Sequence, residues 1–375
     1  GLSCARYLDR NAYDVHIFEK NSVPGGRVSS DVVDGNICDV GFQVLLNNYD
    51  EVRRLNVYDK LNLKYFDSGA QIYTNNKILG IYNPIAHPLK FLQSNIFKVF
   101  TISDIFGLIK SFFSKSSIKY AGEFINNTFS KKSQKLFFYP FFRGVFLSKE
   151  LKTDNIFFLK IFKKFALGKA ALPKQGMKAL PESIISMYDL KINYNHELIK
   201  IDSNTALFKD QKSVDFDILV LAMPLHCINE YMNMDLQPEY NYNKTIYIKS
   251  SKNILDKSIL LIPHESFKIN SIQCLSNISK EYSSGSDHLY SVSTLNRNAN
   301  DEELLSEFKI ITEMSEEDIN LIKSYTIENA LPKDKTSLES INDVFFCGDW
   351  ASEPSIDGAI KSGRLLAEKL NGMTI

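Results

Sequence analysis

Residues 15–27, VHIFEKNSVPGGR, place a short apolar run, an acidic residue and a Pro-Gly-Gly-Arg loop in direct succession. Val15, Ile17 and Phe18 predict a short strand that ends at Glu19. The segment before this strand predicts a helix, because its apolar residues recur at helical spacing. A helix followed by a strand that ends in a carboxylate is typical of a dinucleotide-binding βαβ unit.

Gly1 occupies the position of the last glycine of such a unit. A helix N-terminus offers unpaired N–H groups to a pyrophosphate, and this glycine permits close packing of helix and strand. Glu19 lies where a carboxylate would accept hydrogen bonds from the adenosine ribose hydroxyls. We expect the preceding strand and the first two glycines of the motif to lie upstream of Gly1, so that the chain without them would hold the nucleotide poorly.

The loop after this strand carries a second phosphate-binding pattern. Gly25 and Gly26 would let backbone N–H groups approach a diphosphate, and Arg27 would neutralise its charge. The alternative is an ordinary glycine turn with a surface arginine. The segment Gly41-Phe42-Gln43 follows as a short loop or strand with one small residue.

The C-terminal region carries an independent pattern. Residues 344–346 predict a short apolar strand, Gly348-Asp349 follows it, and residues 356–370 predict a terminal helix. That helix begins with Ile356-Asp357-Gly358-Ala359. A Gly-Asp pair alone is also common in β-turns, whereas the whole string in one place has a much lower probability by chance.

The two ends resemble the FAD-binding regions of flavin amine oxidases, protoporphyrinogen oxidases and phytoene-type desaturases. The resemblance implies that the backbone of Gly25, Gly26 and Arg27 lies along the pyrophosphate, and that the segment with Gly41 lies near the flavin ring. It implies that Asp349 binds the ribityl chain or an adjacent phosphate. It also implies that the helix starting at residues 356–359 points its N-terminus at the pyrimidine edge of the flavin, where it stabilises negative charge.

Weaker parts of the same resemblance lie between the ends. Residues 174–177, with Leu180-Pro181, resemble the segment that returns to the FAD domain. Leu198 matches the strand whose backbone pairs with adenine, and residues 217–224, DILVLAMP, resemble another strand of that domain. Outside these segments and the two ends the resemblance is loose.

These segments predict an α/β fold, with a Rossmann-like FAD/NAD(P)-binding domain and a second α+β substrate domain that carries a helical cap. The FAD domain is predicted to be discontinuous (residues 1–62, 175–230 and 336–375), and the substrate domain to comprise residues 63–174 and 231–335. An acidic strand end suits NAD(P) as well as FAD. The Pro-Gly-Gly-Arg loop and the terminal helix have no function in a nicotinamide enzyme, so the sequence favours FAD.

The region from residue 88 to residue 146 is helical in pattern and rich in phenylalanine. Its rings either line a tunnel for a long apolar substrate or form an ordinary helical core. The nine rings are Phe97, Phe100, Phe106, Phe112, Phe113, Phe137, Phe138, Phe141 and Phe142. Ser103 is predicted to be the N-cap of one helix, whose apolar face would carry Ile105 and Ile109 with three of these rings.

Lysines beside these rings suggest a second use for the same region. Basic and aromatic residues on one helix can meet lipid headgroups, so residues 95–119 are a candidate for peripheral membrane contact. The lysines are Lys98, Lys110, Lys115 and Lys119.

The resemblance implies an enzyme that removes a hydride equivalent from a C–H bond of an apolar or amine substrate. No side-chain base is identified: Lys249 and Lys252 lie where a lysine near flavin N5 could fall, but solvated lysines on a strand edge would explain both. Trp350 either flanks the flavin or packs against the terminal helix. A redox-neutral isomerase of the carotenoid type and a non-enzymatic lipid-binding protein stay open as alternatives, and the sequence does not indicate the electron acceptor.

Composition excludes several other classes. Lys and Arg number 44, as do Asp and Glu, so no basic excess favours nucleic acid. Five scattered cysteines with no metal-like spacing indicate reduced thiols and no metal site. The sequence contains no uninterrupted run of 18 apolar residues, so we do not expect a membrane-spanning helix. We expect a cytoplasmic or peripheral membrane location; a targeting signal cannot be judged, because the first residue is not Met.

Overall fold

The computed structural model describes residues 1–114, 117–255 and 258–373. The strands are β1 (Ile17–Phe18), β2 (Ser30–Val33), β3 (Asn36–Asp39), β4 (Leu45–Leu46), β5 (Lys64–Tyr65), β6 (Gly69–Thr74), β7 (Lys77–Tyr82), β8 (Ala170–Leu172), β9 (Ile192–Asn193), β10 (Leu198–Asp202), β11 (Thr205–Phe208), β12 (Ser213–Asp215), β13 (Leu219–Leu221), β14 (Tyr240–Ser250), β15 (Leu261–Pro263), β16 (Ile269–Cys274), β17 (His288–Thr294), β18 (Ile319–Pro332), β19 (Ser340–Ile341) and β20 (Val344–Phe346).

The α-helices are α1 (Leu2–Tyr7), α2 (Asp50–Arg54), α3 (Pro88–Gln93), α4 (Ile96–Val99), α5 (Ile102–Phe113), α6 (Ala121–Thr128), α7 (Lys131–Ser133), α8 (Tyr139–Phe146), α9 (Asn155–Leu167), α10 (Ala179–Tyr188), α11 (Leu225–Tyr231), α12 (Asp301–Thr312) and α13 (Ile356–Asn371). A π-helical turn, Gln134–Phe138, joins α7 to α8 in one continuous helix. It precedes Pro140, which has no N–H for the helical ladder, and wider turns often accompany such interruptions.

The largest sheet has seven strands in the order β18-β14-β17-β16-β15-β6-β7. All neighbours are antiparallel except β15 and β6, which run parallel. Ile246, Ile272 and Val292 pack from this sheet against Phe308 of α12, and all four side chains are buried. Helix α12 carries acidic residues in its first turn and begins at a capping box of Asn300 and Glu303.

Short parallel strands carry the two ends of the chain. β1 pairs with β9, and β13 pairs with β20. Helix α1 packs on α13, where the Ser3 hydroxyl donates to the carbonyl of Ile360 at 2.8 Å. The predicted N-terminal helix and strand and the predicted terminal helix are therefore confirmed, and residues distant in sequence lie side by side.

The architecture is mixed α/β, as predicted. Strands from residues 69–82 and 240–332 build the large sheet, and the helices between residues 88 and 167 pack over it. The two-domain division, with the boundaries given above, stays a prediction.

The predicted N-cap of the long helix in the aromatic region is wrong by two residues. Helix α5 begins after Thr101, whose hydroxyl accepts a hydrogen bond from the backbone N–H of Asp104. The Asp104 carboxylate accepts in return from the N–H of Thr101 at 2.7 Å. This reciprocal pair is a capping box, which satisfies two orphan donors, whereas Ser103 lies inside the helix.

A buried carboxylate ties three segments of the chain together. Asp39, at the end of β3, accepts from the hydroxyl of Ser30 (2.5 Å), the N–H of Met177 (2.9 Å) and the hydroxyl of Tyr282 (3.0 Å). The segment at residues 174–178 is thus anchored on the β2–β3 hairpin, and this position fits its predicted return to the first domain.

Asp39 makes the stability of the protein depend on pH. Burial raises the pKa of Asp39 and its hydrogen bonds lower it. The effect of burial is larger, so the pKa is about 6. The pKa of an aspartate in an unfolded chain is about 3.9. Between these values the folded protein binds a proton that the unfolded chain has lost, so this group lowers the free energy of unfolding as the pH rises from about 4 to about 6.

Asp39→Asn should remove this dependence. As the pH rises from 4 to 7, the wild type should lose up to about 3 kcal/mol of its free energy of unfolding through this group, and the variant should not. Urea unfolding at a series of pH values measures the difference. Asp34→Asn, in the exposed turn of the same hairpin, is the control and should keep the slope of the wild type. An identical slope in Asp39→Asn would contradict this account.

Candidate functional site

One cavity of about 1550 Å³ runs between the two ends of the chain and the helical region. Its size exceeds the roughly 300–1,000 Å³ of a pocket for one drug-sized ligand. Most of the residues predicted to bind the cofactor line it. They are Gly1, Glu19, Gly25, Gly26, Arg27, Gly41, Phe42, Gln43, Leu198, Gly348, Asp349, Ile356 and Ala359.

Arg27 joins the N-terminal and C-terminal parts of the site. Its guanidinium donates to the Asp349 carboxylate and to the carbonyl of Ala330, both at 2.8 Å. The side chain of Asp349 is nearly buried, so this ion pair is shielded from water on one side. The two sequence patterns, 322 residues apart, therefore meet at one point.

Gly25 and Gly26 have different structural reasons to be glycine. Both have positive φ, +104° for Gly25 and +59° for Gly26. A Cβ on Gly25 would lie 2.3 Å from the carbonyl oxygen of Val28 and 2.8 Å from Pro181. A Cβ on Gly26 would meet no protein atom within 4 Å. Packing thus requires the first glycine, while the second leaves open space on the cavity wall.

The segment after β3 supports this loop. The Gln43 amide donates to the carbonyls of Arg27 (2.7 Å) and Val40 (3.0 Å). Gly41 has φ +79°, and a Cβ there would lie 2.8 Å from the side chain of Ile327. The Gln43 amide therefore holds the Arg27 loop in place, and the positive φ of Gly41 shapes the segment that carries this amide.

Trp350 packs inside the protein. It is fully buried among apolar side chains that include Leu221 and Leu225, and its indole N–H donates to the carbonyl of Met223 at 3.0 Å. It does not line the cavity, so the structure does not support a position beside the flavin, whereas the turn that carries it, Asp349–Ala351, contacts α13. The indole explains Gly348, where a Cβ would lie 2.4 Å from the indole nitrogen.

The start of α13 only partly matches the expectation. Ser355 caps the helix by accepting from the N–H of Gly358 at 2.9 Å. Asp357 and Gly358 do not line the cavity. The Asp357 carboxylate instead accepts from the N–H of Glu51 at 2.9 Å, at the start of α2, because it lies on the buried side of the helix. Gly358 packs against the preceding turn, where a Cβ would lie 1.9 Å from the carbonyl oxygen of Glu353.

Glu19 and Leu198 line the cavity at the ends of two other strands, β1 and β10. Glu19 follows β1 directly, and its carboxylate accepts from the N–H of Asn21 at 2.9 Å. Leu198 begins β10, and its carbonyl accepts from the hydroxyl of Tyr231 at 2.6 Å. Both residues line the cavity, and their role next to the adenosine stays a prediction.

His226 is a wall residue that the sequence analysis missed. It is the second residue of α11 and lies two residues after Pro224. Its Nδ1 is buried with no hydrogen-bond partner among the described residues, and Nε2 lies 3.4 Å from the amide of Asn329. Burial lowers the pKa of His226, and the charges of Arg27 and Lys20 lower it further. Its place after the strand of residues 217–224 was the only signal available.

The wall can accommodate FAD. The N–H groups of Gly26 and Arg27 find no acceptor in the described part of the chain, nor do those of Ile356 and Asp357 in the first turn of α13. Donors at a glycine loop and at a helix N-terminus suit phosphate and other anionic groups. With the open space at Gly26 and the orphaned nitrogen of His226, these groups could hold a dinucleotide, and bound FAD would supply a hydride acceptor.

The other half of the cavity is apolar. Helices α5, α8 and α9 and the sheet strands β6 and β15 line it, with rings that include Phe112, Phe141 and Phe162. The lining of this half comes from described residues in the ranges 66–170 and 243–271. Asp67 is the only one of these lining residues with a charged side chain, and it is exposed. This half therefore suits a ligand with little or no charge.

The nine phenylalanines of the aromatic region divide into three groups. Phe97, Phe106 and Phe113 are exposed, Phe138 is core, and the remaining five line the cavity. Lys249 lies on β14, an inner strand of the sheet, and Lys252 follows that strand, so neither lies on a strand edge. Both lie outside the cavity and bind Asp287 (3.3 Å) and Asp318 (2.8 Å) respectively. Lys115 lies outside the described residues.

A mixed α/β fold whose short parallel strands, glycine loop and terminal helix meet around one cavity is typical of a dinucleotide-binding protein. Residues 1–251 match the model of the flavin containing amine oxidoreductase family. The match covers more than half of the chain, so the protein belongs to this family, and membership implies FAD as its cofactor. The predicted resemblance is therefore confirmed.

Solved structures show the same fold over nearly the whole chain. An oxidoreductase from Methanosarcina mazei has a TM-score of 0.73 at 15% identity, covering 98% of this chain and 97% of its own. Reduced UDP-galactopyranose mutase has a TM-score of 0.71 at 14% identity, covering 100% and 93%. Putrescine oxidase with bound putrescine has a TM-score of 0.65 at 13% identity, covering 99% and 96%. A search of curated proteins finds no match.

Two further findings concern the described residues only. No group of three or more His, Cys, Asp or Glu side chains there is placed to hold a metal ion. No helix among them is long and apolar enough to cross a membrane. The five cysteines are free, and all but Cys227 are buried.

Proposed function

We propose that this FAD-dependent oxidoreductase removes a hydride equivalent from a C–H bond of an apolar substrate, with flavin N5 as the acceptor. The observation that carries the proposal is the apolar half of the cavity, which is continuous with the predicted cofactor wall. The cavity is large enough for a dinucleotide and a second molecule together.

The described lining of this half offers a small cationic amine aromatic rings but no buried carboxylate. A buried ammonium group needs a carboxylate partner or a cage of aromatic faces, because desolvation of an unpaired charge is costly. The one charged lining residue in this half, Asp67, is exposed and would offer a hydrated partner at the rim. An uncharged substrate needs no such partner.

The residues of the chain would act by positioning and by excluding water. Phe142 and Phe162 are buried and hold their rings against each other and against α8 and α9, which fixes the shape of the compartment. Polar groups at the sheet end of the cavity, Asn243, Asn270 and Ser271, could orient a substrate that carries one polar group. No side-chain base is assigned, because the one carboxylate among the described residues that line this half, Asp67, is exposed.

Anaerobic reduction tests the proposal directly. The purified protein with bound FAD is mixed without oxygen with detergent-dispersed long-chain polyenes or prenyl hydrocarbons, and separately with putrescine. We expect the flavin absorption to bleach with a member of the apolar set and to stay unchanged with putrescine. Bleaching by putrescine alone would overturn the proposal.

The redox-neutral isomerase stays as a second candidate, because a mutase shares this fold at a TM-score of 0.71. In that case the apolar compound would be converted by the reduced protein without net change of the flavin spectrum. A purified protein without flavin absorption that still retains an apolar ligand would favour the lipid-binding alternative instead.

Helix α5 offers a matched pair of substitutions for the compartment. Leu108 is half-buried and lines the cavity, whereas the neighbouring Ile109 is 54% exposed. Leu108→Trp should fill part of the compartment and lower kcat/KM for the bleaching substrate by about tenfold, because size discrimination in apolar pockets has this magnitude. Ile109→Trp should leave kcat/KM unchanged. Equal losses in both variants, or none in Leu108→Trp, would contradict the assignment of this wall.

A further inference from the structure

The outer surface of helices α3, α4 and α5 is unusually apolar for a protein exterior. One stripe of α5 carries Ile102, Phe106, Ile109 and Phe113, spaced at four, three and four residues, and all are more than half exposed. Phe113 is 82% exposed. Contiguous exposed apolar residues mark sites of interaction with proteins or membranes. We call the outer surface of α3, α4 and α5 the apolar face.

Helix α5 is apolar on both of its sides. Its inner side contributes Leu108 and Phe112 to the cavity, while the stripe on its outer side has no cover among the described residues. A helix that is apolar all round normally lies in a core or a membrane. The cavity and the exterior are therefore separated here by the width of one helix.

The shorter helices extend this surface. Leu89 and Leu92 of α3 are 74% and 69% exposed, and Phe97 of α4 is 60% exposed. Ile85, just before α3, is 54% exposed and also lines the cavity. Because one side chain belongs to both surfaces, the cavity reaches the exterior next to the apolar face.

The charges on this region have a single sign. Lys90, Lys98 and Lys110 are exposed beside the apolar residues. Between residues 84 and 122 the one acidic residue is Asp104. That carboxylate is fully buried and accepts from Thr101 and Ser130, so it does not offset the lysines at the surface.

We propose that the apolar face binds the surface of an anionic lipid bilayer, and that the apolar compartment is filled from that side. Apolar residues flanked by lysines bind such a surface through burial of the apolar side chains and attraction to anionic headgroups. A second copy of the chain fits less well, because a symmetric contact would bring these lysines together without exposed acids to pair them. The filling of the compartment rests on the proposed function, whereas the binding does not.

Co-sedimentation with lipid vesicles tests the binding. The probes are vesicles of phosphatidylcholine alone and vesicles of phosphatidylcholine mixed with phosphatidylglycerol. We expect the protein to sediment with the mixed vesicles, to bind phosphatidylcholine alone far more weakly, and to lose binding as salt is raised. Absence of binding to the mixed vesicles would overturn the proposal.

Two pairs of substitutions separate the contributions. Phe106→Ser with Ile109→Ser should weaken binding to both kinds of vesicle by about tenfold or more, since apolar burial drives insertion. Lys98→Gln with Lys110→Gln should weaken binding to the mixed vesicles by roughly fivefold per lysine and so reduce the preference for them. The control pair, Ile199→Ser with Ile310→Ser, alters residues of similar exposure on β10 and α12 and should bind like the wild type.

The remaining outcomes also decide the matter. An equal loss in the control pair, or a dimer in solution that Phe106→Ser with Ile109→Ser dissociates, would overturn the proposal in favour of unspecific or self-association. Vesicle binding requires neither substrate nor turnover. If the protein binds the mixed vesicles but no apolar compound bleaches its flavin, the proposed function is refuted. The proposal that the apolar face binds an anionic bilayer is then still supported.

Discussion

Arg27→Ala should lose most of its affinity for FAD. The guanidinium links the glycine loop to Asp349 on the predicted cofactor wall, with hydrogen bonds of 2.8 Å to Asp349 and Ala330. A hydrogen bond to a charged group contributes about 1.5–3 kcal/mol, so we expect the dissociation constant for FAD to rise by about tenfold to a hundredfold. Titration of the apoprotein with FAD, followed by flavin fluorescence, measures it.

The same substitution should also lower stability without FAD, because the nearly buried Asp349 carboxylate loses its partner. We expect a loss of about 1–3 kcal/mol in the free energy of unfolding. Adding Asp349→Asn to Arg27→Ala should recover that stability but not the affinity for FAD. Arg297→Ala, which removes an exposed ion pair with Glu328, is the control and should leave both unchanged. If the double variant regains FAD binding, Arg27 acts on the fold and not on the cofactor.

Gly25→Ala and Gly26→Ala should fail in different ways. Gly25→Ala places a Cβ 2.3 Å from the carbonyl oxygen of Val28 at a φ of +104°, so the loop must move. We expect a loss of at least about 3 kcal/mol in the free energy of unfolding, the sum of backbone strain and overpacking. Gly26→Ala meets no protein atom and has a φ of +59°, so it should cost about 1 kcal/mol.

The two substitutions should rank differently when the loss of FAD affinity is compared with the loss of stability. Relative to its small effect on folding, Gly26→Ala should weaken FAD binding strongly, because its methyl group fills the open space on the cavity wall. Thermal unfolding without FAD and FAD titration, performed on both variants, separate the two effects. Gly80→Ala, on β7 with open space and an ordinary backbone conformation, is the control. Normal FAD affinity in Gly26→Ala would show that the space beside this glycine is not used by the diphosphate.

The cofactor wall could be predicted from sequence because its residues are set by local backbone chemistry. Gly25, Gly26 and Arg27 act through turns and charge, and Asp349 follows a strand end, so each has a recognisable local pattern. The family match and the cavity fit that reading. Asp357 and Gly358 do not line the cavity, since the helix phase that turns the Asp357 carboxylate towards α2 depends on packing that only the structure shows.

The aromatic region could not be assigned from sequence for a related reason. Phe112 and Phe113 are adjacent and chemically identical, yet one lines the cavity and the other is 82% exposed. Periodicity identifies a helix with apolar residues on several sides, but it does not show which side faces the protein. Thr101 could have been found as the N-cap, because its capping box with Asp104 is written in the sequence.

The meeting of the two ends has a consequence for biosynthesis. The contacts between Ser3 and Ile360 and between Arg27 and Asp349 span 357 and 322 residues. Such contacts of high sequence separation form late and slow folding. The glycine loop leaves the ribosome early but must wait for residues 348–359 before its arginine finds a partner. We therefore expect the nascent chain to acquire FAD only after residues 348–359 have been synthesised, and cells short of FAD to accumulate chains in which Arg27 and Asp349 have not yet paired.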